Sequence, residues 1–337
     1  MKEAFLYEKL EEGRVRCNLC AHRCAIAEGH RGICGVRENR GGVLYSLVYG
    51  RPISMAVDPV EKKPLFHFYP GSTAFSIATV GCNFRCRFCQ NADISQWPRE
   101  RKTIVGDTVP AERVVAEARR YRSRSIAYTY TEPTVFAEYT YDIAVLAHQE
   151  GIANVYVTNG YMTAEVLDLF HPYLDAANVD LKSFRDAFYK EQCGARLQPV
   201  LDSLKKMVQQ GVWVEVTTLI IPGLNDGDDE LREIATFIAQ ELGPQYPWHI
   251  SRFIPHYQML DRPPTPVATL HRAREIGYQA GLRYVYEGNV PGAGGEDTLC
   301  PGCHRPVIRR FGFQVLEQAV QDGRCRFCGT AIDGVGL

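Results

Sequence analysis

Between residues 74 and 290 the chain alternates between two hydrophobic rhythms. Short apolar runs rich in Val, Ile, Thr and Tyr fall at Ala74–Val80, Ser125–Tyr130, Ala153–Thr158, Ala176–Leu181, Val212–Ile221 and Trp248–Ile254. Their length and composition predict strands. Each is followed by a segment with helical apolar spacing: Pro110–Arg122, Phe136–Gln149, Ala164–Leu174, Pro199–Gln210, Asp228–Leu242 and Pro266–Ala280. Asp228-Asp229-Glu230 puts acids at a helix start, and Gly151, Gly211 and Gly281 stand where helix ends need them. A short last strand is expected at Tyr284–Glu287. Strand and helix in alternation imply a parallel sheet with right-handed crossovers. Six units are fewer than a closed (β/α)8 barrel has, so the predicted fold class is α/β, an open partial (β/α)6 barrel of the TIM type.

The rhythm is absent on either side. Residues 1–45 are broken by Gly29, Gly32, Gly35 and the Gly41-Gly42 pair, and residues 46–72 carry Pro52, Pro59, Pro64 and Pro70. The expected organisation is an N-terminal cysteine-rich module over 1–45, a barrel domain over 46–290 with its core at 74–290, and a C-terminal module over 291–337. No internal repeat or low-complexity tract interrupts this plan.

Composition narrows the function classes. The 337 residues are 45% hydrophobic and 23% charged, with a net charge of -1, so nothing in bulk draws the chain to nucleic acid or an anionic membrane. The charged stretch Met1–Glu12 lacks the apolar centre of a signal peptide, and no run approaches a membrane span. The cytoplasm is the expected location. Twelve cysteines in a reducing compartment favour metal or cofactor binding over disulfides. Eleven fall into three groups: Cys17, Cys20, Cys24, Cys34; Cys82, Cys86, Cys89; and Cys300, Cys303, Cys325, Cys328. Cys193 stands apart and reads as a small buried residue, or as a thiol near a substrate.

The central group follows the first strand with spacing C-x3-C-x2-C. It supplies three thiolates where a [4Fe–4S] cluster usually takes four, which leaves one iron open. The competing reading is a zinc knuckle completed by another residue. Around the trio the unusual polar residues fall at strand ends, where barrel chemistry sits. These are Thr131-Glu132-Pro133, Thr158-Asn159-Gly160, Asp180 and Lys182, Pro222-Gly223 and Pro255-His256.

The Cys82–Asn91 loop, with Phe88 before its third cysteine, resembles the signature of the radical S-adenosylmethionine (SAM) superfamily, and within it the glycyl-radical-enzyme activases such as the pyruvate formate-lyase activating enzyme. Nearly the whole chain is similar to the radical SAM protein of the AmmeMemoRadiSam system. Cys17-Asn-Leu-Cys20, Gly32-Ile-Cys34-Gly35-Val36-Arg37, Asp58-Pro-Val-Glu-Lys-Lys-Pro64 and Cys89-Gln-Asn91 carry that likeness. So do Tyr128-Thr-Tyr-Thr-Glu-Pro-Thr134, Val179-Asp-Leu-Lys182, Ile221-Pro-Gly-Leu-Asn225, Trp248-His-Ile-Ser-Arg-Phe253 and Tyr286-Glu-Gly-Asn289.

The resemblance implies a radical SAM barrel, a [4Fe–4S] cluster on Cys82, Cys86 and Cys89, and SAM chelated at the open iron. Reductive cleavage then gives methionine and a 5′-deoxyadenosyl radical that abstracts hydrogen from a protein or small molecule. Glu132 stands where the family's Gly-Gly-Glu segment receives the SAM amino group, without the two glycines. Asn159 reads as a ribose contact or as plain turn chemistry. Lys182 suits the SAM carboxylate with Asp180 beside it, and His256 reads as a ligand contact or a structural loop residue. Thr158 and Asp180 match activase positions for a monovalent cation, although Val157 replaces the acid preceding that threonine. The implied partners are a flavodoxin- or ferredoxin-like reductant and a substrate protein, or Memo-type and AMMECR-type companions. Activation of a glycyl-radical enzyme and RNA modification are the alternative functions. Arg305, Arg309, Arg310, Arg324 and Arg326 would serve the latter, and read otherwise as a solvated face.

The C-terminal cysteines form two C-x2-C knuckles separated by 21 residues, the pattern of a zinc ribbon, with rubredoxin-like iron as the other candidate. The N-terminal spacing C-x2-C-x3-C-x9-C again suits one metal site. Zinc is the first choice there and an auxiliary iron–sulfur cluster the second, with His22 and His30 able to replace one thiol.

Overall fold

The computed structural model describes residues 1–290, 292 and 294–337. Position 291, where the sequence opens the C-terminal module, and position 293 lie outside the described residues. Eight strands form the central sheet: β1 Ser54–Pro59, β2 Thr73–Ala78, β3 Ser125–Tyr128, β4 Ala153–Thr158, β5 Ala176–Asp180, β6 Trp213–Ile220, β7 Trp248–Arg252 and β8 Val285–Gly288. They lie in sequence order. Every neighbouring pair from β2 to β8 is parallel, and β1 runs antiparallel to β2. Among the described residues the two edges do not pair, so the sheet is open. The helices are α1 Ala111–Arg120, α2 Ala137–Gln149, α3 Ala164–Phe170, α4 Gln198–Gln209, α5 Asp228–Phe237 and α6 Val267–Gln279. All six expected strands and helices are present, and the short last strand exists as β8. Helix α3 stops earlier than its apolar pattern suggests, because Pro172 follows.

The departure from the sequence reading is β1, in a stretch expected to be irregular. Its prolines hid a period-two pattern in which Met55 and Val57 face outward. Pro59 is tolerated as the last residue of an edge strand, where no ladder N–H is required.

Alternation along the strands sorts side chains between two sides. Phe75, Ile77, Ile126, Tyr128, Tyr156, Val179, Val214 and Val216 join the large core shared with the helices. The opposite parity gives Ala74, Ala127, Val155 and Ala176, which form a second cluster with Val60, Leu65 and Phe68. The connection between β1 and β2 thus plugs the inside of the sheet. Its buried backbone needs partners. Glu215 of β6 accepts from Phe66 N at 2.9 Å and His67 N at 2.8 Å, and Asn178 of β5 donates to Pro64 O at 2.8 Å. Asp58 binds Lys62, Lys63 and the Tyr130 hydroxyl, which accounts for the charges in the Asp58–Pro64 segment.

The C-terminal residues make a three-stranded antiparallel sheet, Thr298–Leu299, Pro306–Phe311 and Gln314–Gln318, and a small hairpin. They are welded to the plug by Arg310. This side chain is fully buried, 3.6 Å from the equally buried Glu61, donates to Phe66 O and Thr298 Oγ1 at 2.8 Å each, and lies over the Phe66 ring. Burial pushes the Glu61 carboxyl up, and the guanidinium opposes that. The solvated-face reading of the five arginines therefore fails for Arg310. At the other end of the chain two small three-stranded sheets carry the first cysteine group. Arg37 anchors them through a bidentate pair with Glu138 of α2, both side chains buried.

Replacing Arg310 by Ala leaves Glu61 charged and unpaired in the interior, and the expected loss of unfolding free energy is about 3–5 kcal/mol. Chemical denaturation checks this. A loss no larger than that of an exposed arginine such as Arg305 would show that the weld contributes little.

Candidate active site

At the C-terminal ends of the strands the inward parity continues as Thr129, Val157, Asp180, Thr217, Leu219 and Ser251. Together with the cysteine loop they line a cavity of about 440 Å³. The loop leaves β2 through Gly81, whose φ is 103° and whose absent Cβ would lie 2.5 Å from Val36 Cγ1. Only glycine lets the N-terminal module press this close. Cys82, Cys86 and Cys89 all reach the cavity. Arg85 N and Arg87 N bond to Cys193 O and Gln192 O, and Arg99 donates to Cys82 O and Phe84 O, so the loop is held from both sides. Burial pushes the Cys82 and Cys89 thiols up. Contact with the fully buried Cys193, then burial, does the same to Cys86. A metal taken up here displaces protons.

Glu132 follows β3 and is almost wholly buried. Its Oε1 accepts from Thr134 N, Thr134 Oγ1 and Thr158 Oγ1 at 3.1, 2.5 and 2.8 Å, and its Oε2 accepts from Asn159 N at 2.9 Å. Burial pushes this carboxyl up, against those bonds. Among the described residues no cation pairs with it. It is a held acid facing the cavity, not a solvated loop residue.

Asn159 donates through Nδ2 to Asn83 Oδ1 at 2.7 Å, which ties the end of β4 to the cysteine loop. Lys182 lies 2.7 Å from Asp180 and 5.9 Å from the centre of the Phe88 ring. Burial opposes its charge, but Asp180 and the Cys86 and Cys193 sulfurs hold its pKa well above the usual lysine value. Thr158 and Asp180 both line the cavity, the first donating to Glu132 at 2.8 Å and the second accepting from Lys182 at 2.7 Å. His256 is exposed and lies outside the cavity lining. The cavity also takes Lys62, Asn91, Asn289 and Phe313, to which the sequence reading gave no role. Asn289 sits in a quoted motif and holds Ser251 Oγ at 3.0 Å, a signal that was available. Phe313, on the turn of the C-terminal sheet, carried none.

The flanking cysteines differ from one another. Cys300 and Cys328 sulfurs are 3.5 Å apart, Cys303 and Cys325 sulfurs 3.8 Å, and all four lie within 4.8 Å of one another. This set can hold a metal ion. The N-terminal four line one small separate cavity with His22, Arg37 and Asn83, but do not close to that limit.

Glu132→Gln puts an amide NH2 against groups that themselves donate. The expected cost is about 1–3 kcal/mol in unfolding free energy, read by denaturation of the metal-free protein. No loss would mean that the four bonds do not hold the strand ends.

Comparison with known proteins supplies the lineage. Residues 76–238 match the Radical SAM superfamily. The chain is 48% identical over 335 residues to an uncharacterized protein of Methanocaldococcus jannaschii, MJ0808, with 99% of each chain covered. It is 26% identical over 165 residues to the pyruvate formate-lyase 1-activating enzyme of Escherichia coli, covering 47% of this chain and 65% of that enzyme. A radical SAM methyltransferase from Sphaerobacter thermophilus superposes with a TM-score of 0.51 at 20% identity, over 68% of this chain and 71% of that one. Streptococcus suis SuiB bound to S-adenosylmethionine gives a TM-score of 0.51 at 13% identity, over 68% and 53%. At such identities the two structures share the fold alone. With the cysteine loop at the end of β2 and the open parallel sheet beneath it, this chain is an enzyme of the radical SAM superfamily, related to the activating enzymes.

Proposed function

We propose that Cys82, Cys86 and Cys89 hold a [4Fe–4S] cluster and that the cavity beside them binds SAM. The observation that carries this reading is the donor set. Three thiols from one loop face a single cavity, and among the described residues its lining contains no further cysteine or histidine, which fits a cluster with one open iron. When bound, the cluster supplies the electron that cleaves SAM to methionine and a 5′-deoxyadenosyl radical. The chain's own residues bind and orient. Glu132 accepts the ammonium of the methionine part, because it is a buried carboxylate fixed by four donors. Lys182 receives the carboxylate, and Asn159 holds the ribose while bracing the cysteine loop through Asn83. A monovalent cation near Thr158 and Asp180 is not needed for this scheme.

The substrate surface is apolar on the C-terminal side. Phe313 reaches the cavity, and Phe311 and Leu316 stand exposed on the same hairpin. This supports hydrogen abstraction from a polypeptide segment, as in the activating-enzyme relatives, with Memo-type and AMMECR-type proteins as companions and a flavodoxin- or ferredoxin-like reductant. RNA is a poorer fit. Arg310 is buried, and Arg309 lies within 4.0 Å of Asp297 and 3.9 Å of Glu317. The C-terminal thiols are proposed to hold zinc, whose bonds of about 2.3 Å place sulfurs ~3.8 Å apart. No helix among the described residues is long and apolar enough to cross a membrane, and a cytoplasmic enzyme is the reading consistent with reduced thiols.

Reconstituted anaerobically and given a strong reductant, the protein is expected to convert SAM to 5′-deoxyadenosine and methionine. Cys86→Ala is expected to lose central iron and cleavage together, and cleavage surviving in that variant would refute the assignment. Glu132→Ala is expected to keep its iron and bind SAM about tenfold or more weakly, since a charge-assisted contact is removed. A SAM titration followed by the cluster spectrum measures it, and equal affinities would leave Glu132 with a purely structural role.

A further inference from the structure

We propose that Cys17, Cys20, Cys24 and Cys34 bind a polynuclear iron–sulfur cluster, a [4Fe–4S] centre with all four irons ligated, instead of the single zinc ion that their spacing first suggests. The three cysteine groups fall into two geometric classes. A mononuclear metal gathers sulfurs around a point, and a ZnS4 tetrahedron with bonds of about 2.3 Å has edges of ~3.8 Å. The C-terminal four meet this, with sulfur pairs at 3.5 and 3.8 Å. A polynuclear cluster binds each thiolate to a different iron, so its sulfurs surround a volume. The central trio does this, lining a cavity without closing to within 4.8 Å. The N-terminal four behave in the same way: all line one cavity, and no three of them come within 4.8 Å of one another.

The spacing is imposed by structure on every side. Cys17 ends a strand, and its N–H bonds to Cys24 O at 3.0 Å. Cys20 bridges to Met162 of the barrel, while the following N–H bonds to Tyr161 O at 3.1 Å. Cys34 sits in a turn closed by Gly35 N to Gly32 O at 2.9 Å. The remaining walls are largely apolar, with Leu19, Ile26 and Val135 buried, which suits a cluster that must be kept from water. His22 is not a fifth donor through Nε2. That nitrogen is 2.9 Å from Asn83 O, and a carbonyl only accepts, so Nε2 carries its proton. Asn83 also follows Cys82 directly, so the second cluster would lie one residue from the first.

The test uses the full chain, reconstituted anaerobically with iron and sulfide. About eight irons, about eight sulfides and about one zinc are expected per chain, summing two cubane sites and one zinc site. About four irons with about two zincs would overturn the proposal. The triple variant Cys82→Ala, Cys86→Ala, Cys89→Ala is expected to retain about four irons, with a reduced paramagnetic signal that added SAM does not change. Iron-free triple variant would also overturn it. Should that variant fail to fold, Cys20→Ser with Cys24→Ser decides the matter: iron falling by half, with the SAM-sensitive signal kept, supports the second cluster, and unchanged iron refutes it. A central site that fails to cleave SAM changes none of these counts, so the two readings fail separately.

Discussion

A parallel sheet of seven strands that does not close on itself has an inner side that water would otherwise fill. The chain meets this constraint with the connection between β1 and β2. The inward residues low in the sheet are small, at Ala74, Ala127 and Ala176, and Leu65 and Phe68 occupy the space they leave. A backbone carried into such a place must have its N–H and C=O groups satisfied. Glu215 and Asn178, at inward positions of β6 and β5, supply that need. The plug fills the lower interior, and the cavity lies at the upper strand ends, where the cysteine loop stands.

Buried carboxylates recur as the joints between segments. Glu215 fixes the plug, Glu138 receives Arg37 and Phe5 N from the N-terminal module, and Glu132 gathers the ends of β3 and β4. Each takes several donors, which offsets the cost of removing a charge from water. Glu138 and Glu215 have a cationic or ionisable partner at hand, Arg37 and His249. Glu132 has none among the described residues, and it alone of the three faces the cavity. The difference separates two carboxylates paired in the interior from one that faces the cavity without such a partner.

The flanking modules are structural parts of the site. The N-terminal module presses Val36 against Gly81, and Arg99 pins the carbonyls of the cysteine loop. The C-terminal sheet, locked by Arg310 to Glu61, delivers Phe313 to the cavity from the other side. A change in either module would therefore be felt at the central loop through packing.

Local features were legible in the amino-acid sequence alone. The period-two and 3.6-residue rhythms located the six strand–helix units, and cysteine spacing located the thiol groups. Strand-end position singled out Glu132, Asn159, Asp180 and Lys182, all of which the structure brings to one cavity. These are short-range properties, set by neighbours within a few residues. What only the tertiary structure decided depends on contacts across the chain. Strand β1 was hidden by its prolines, and the plug gave no periodic signal. Arg310 and Arg305 look alike in sequence, yet one is buried and the other exposed. His256 stands at a strand end like the others but turns to solvent, while Phe313 reaches the cavity from a hairpin more than two hundred residues beyond Cys82. Spacing alone likewise cannot separate thiols that meet at a point from thiols that surround a volume, because the backbone between them permits both and packing against the rest of the fold selects one.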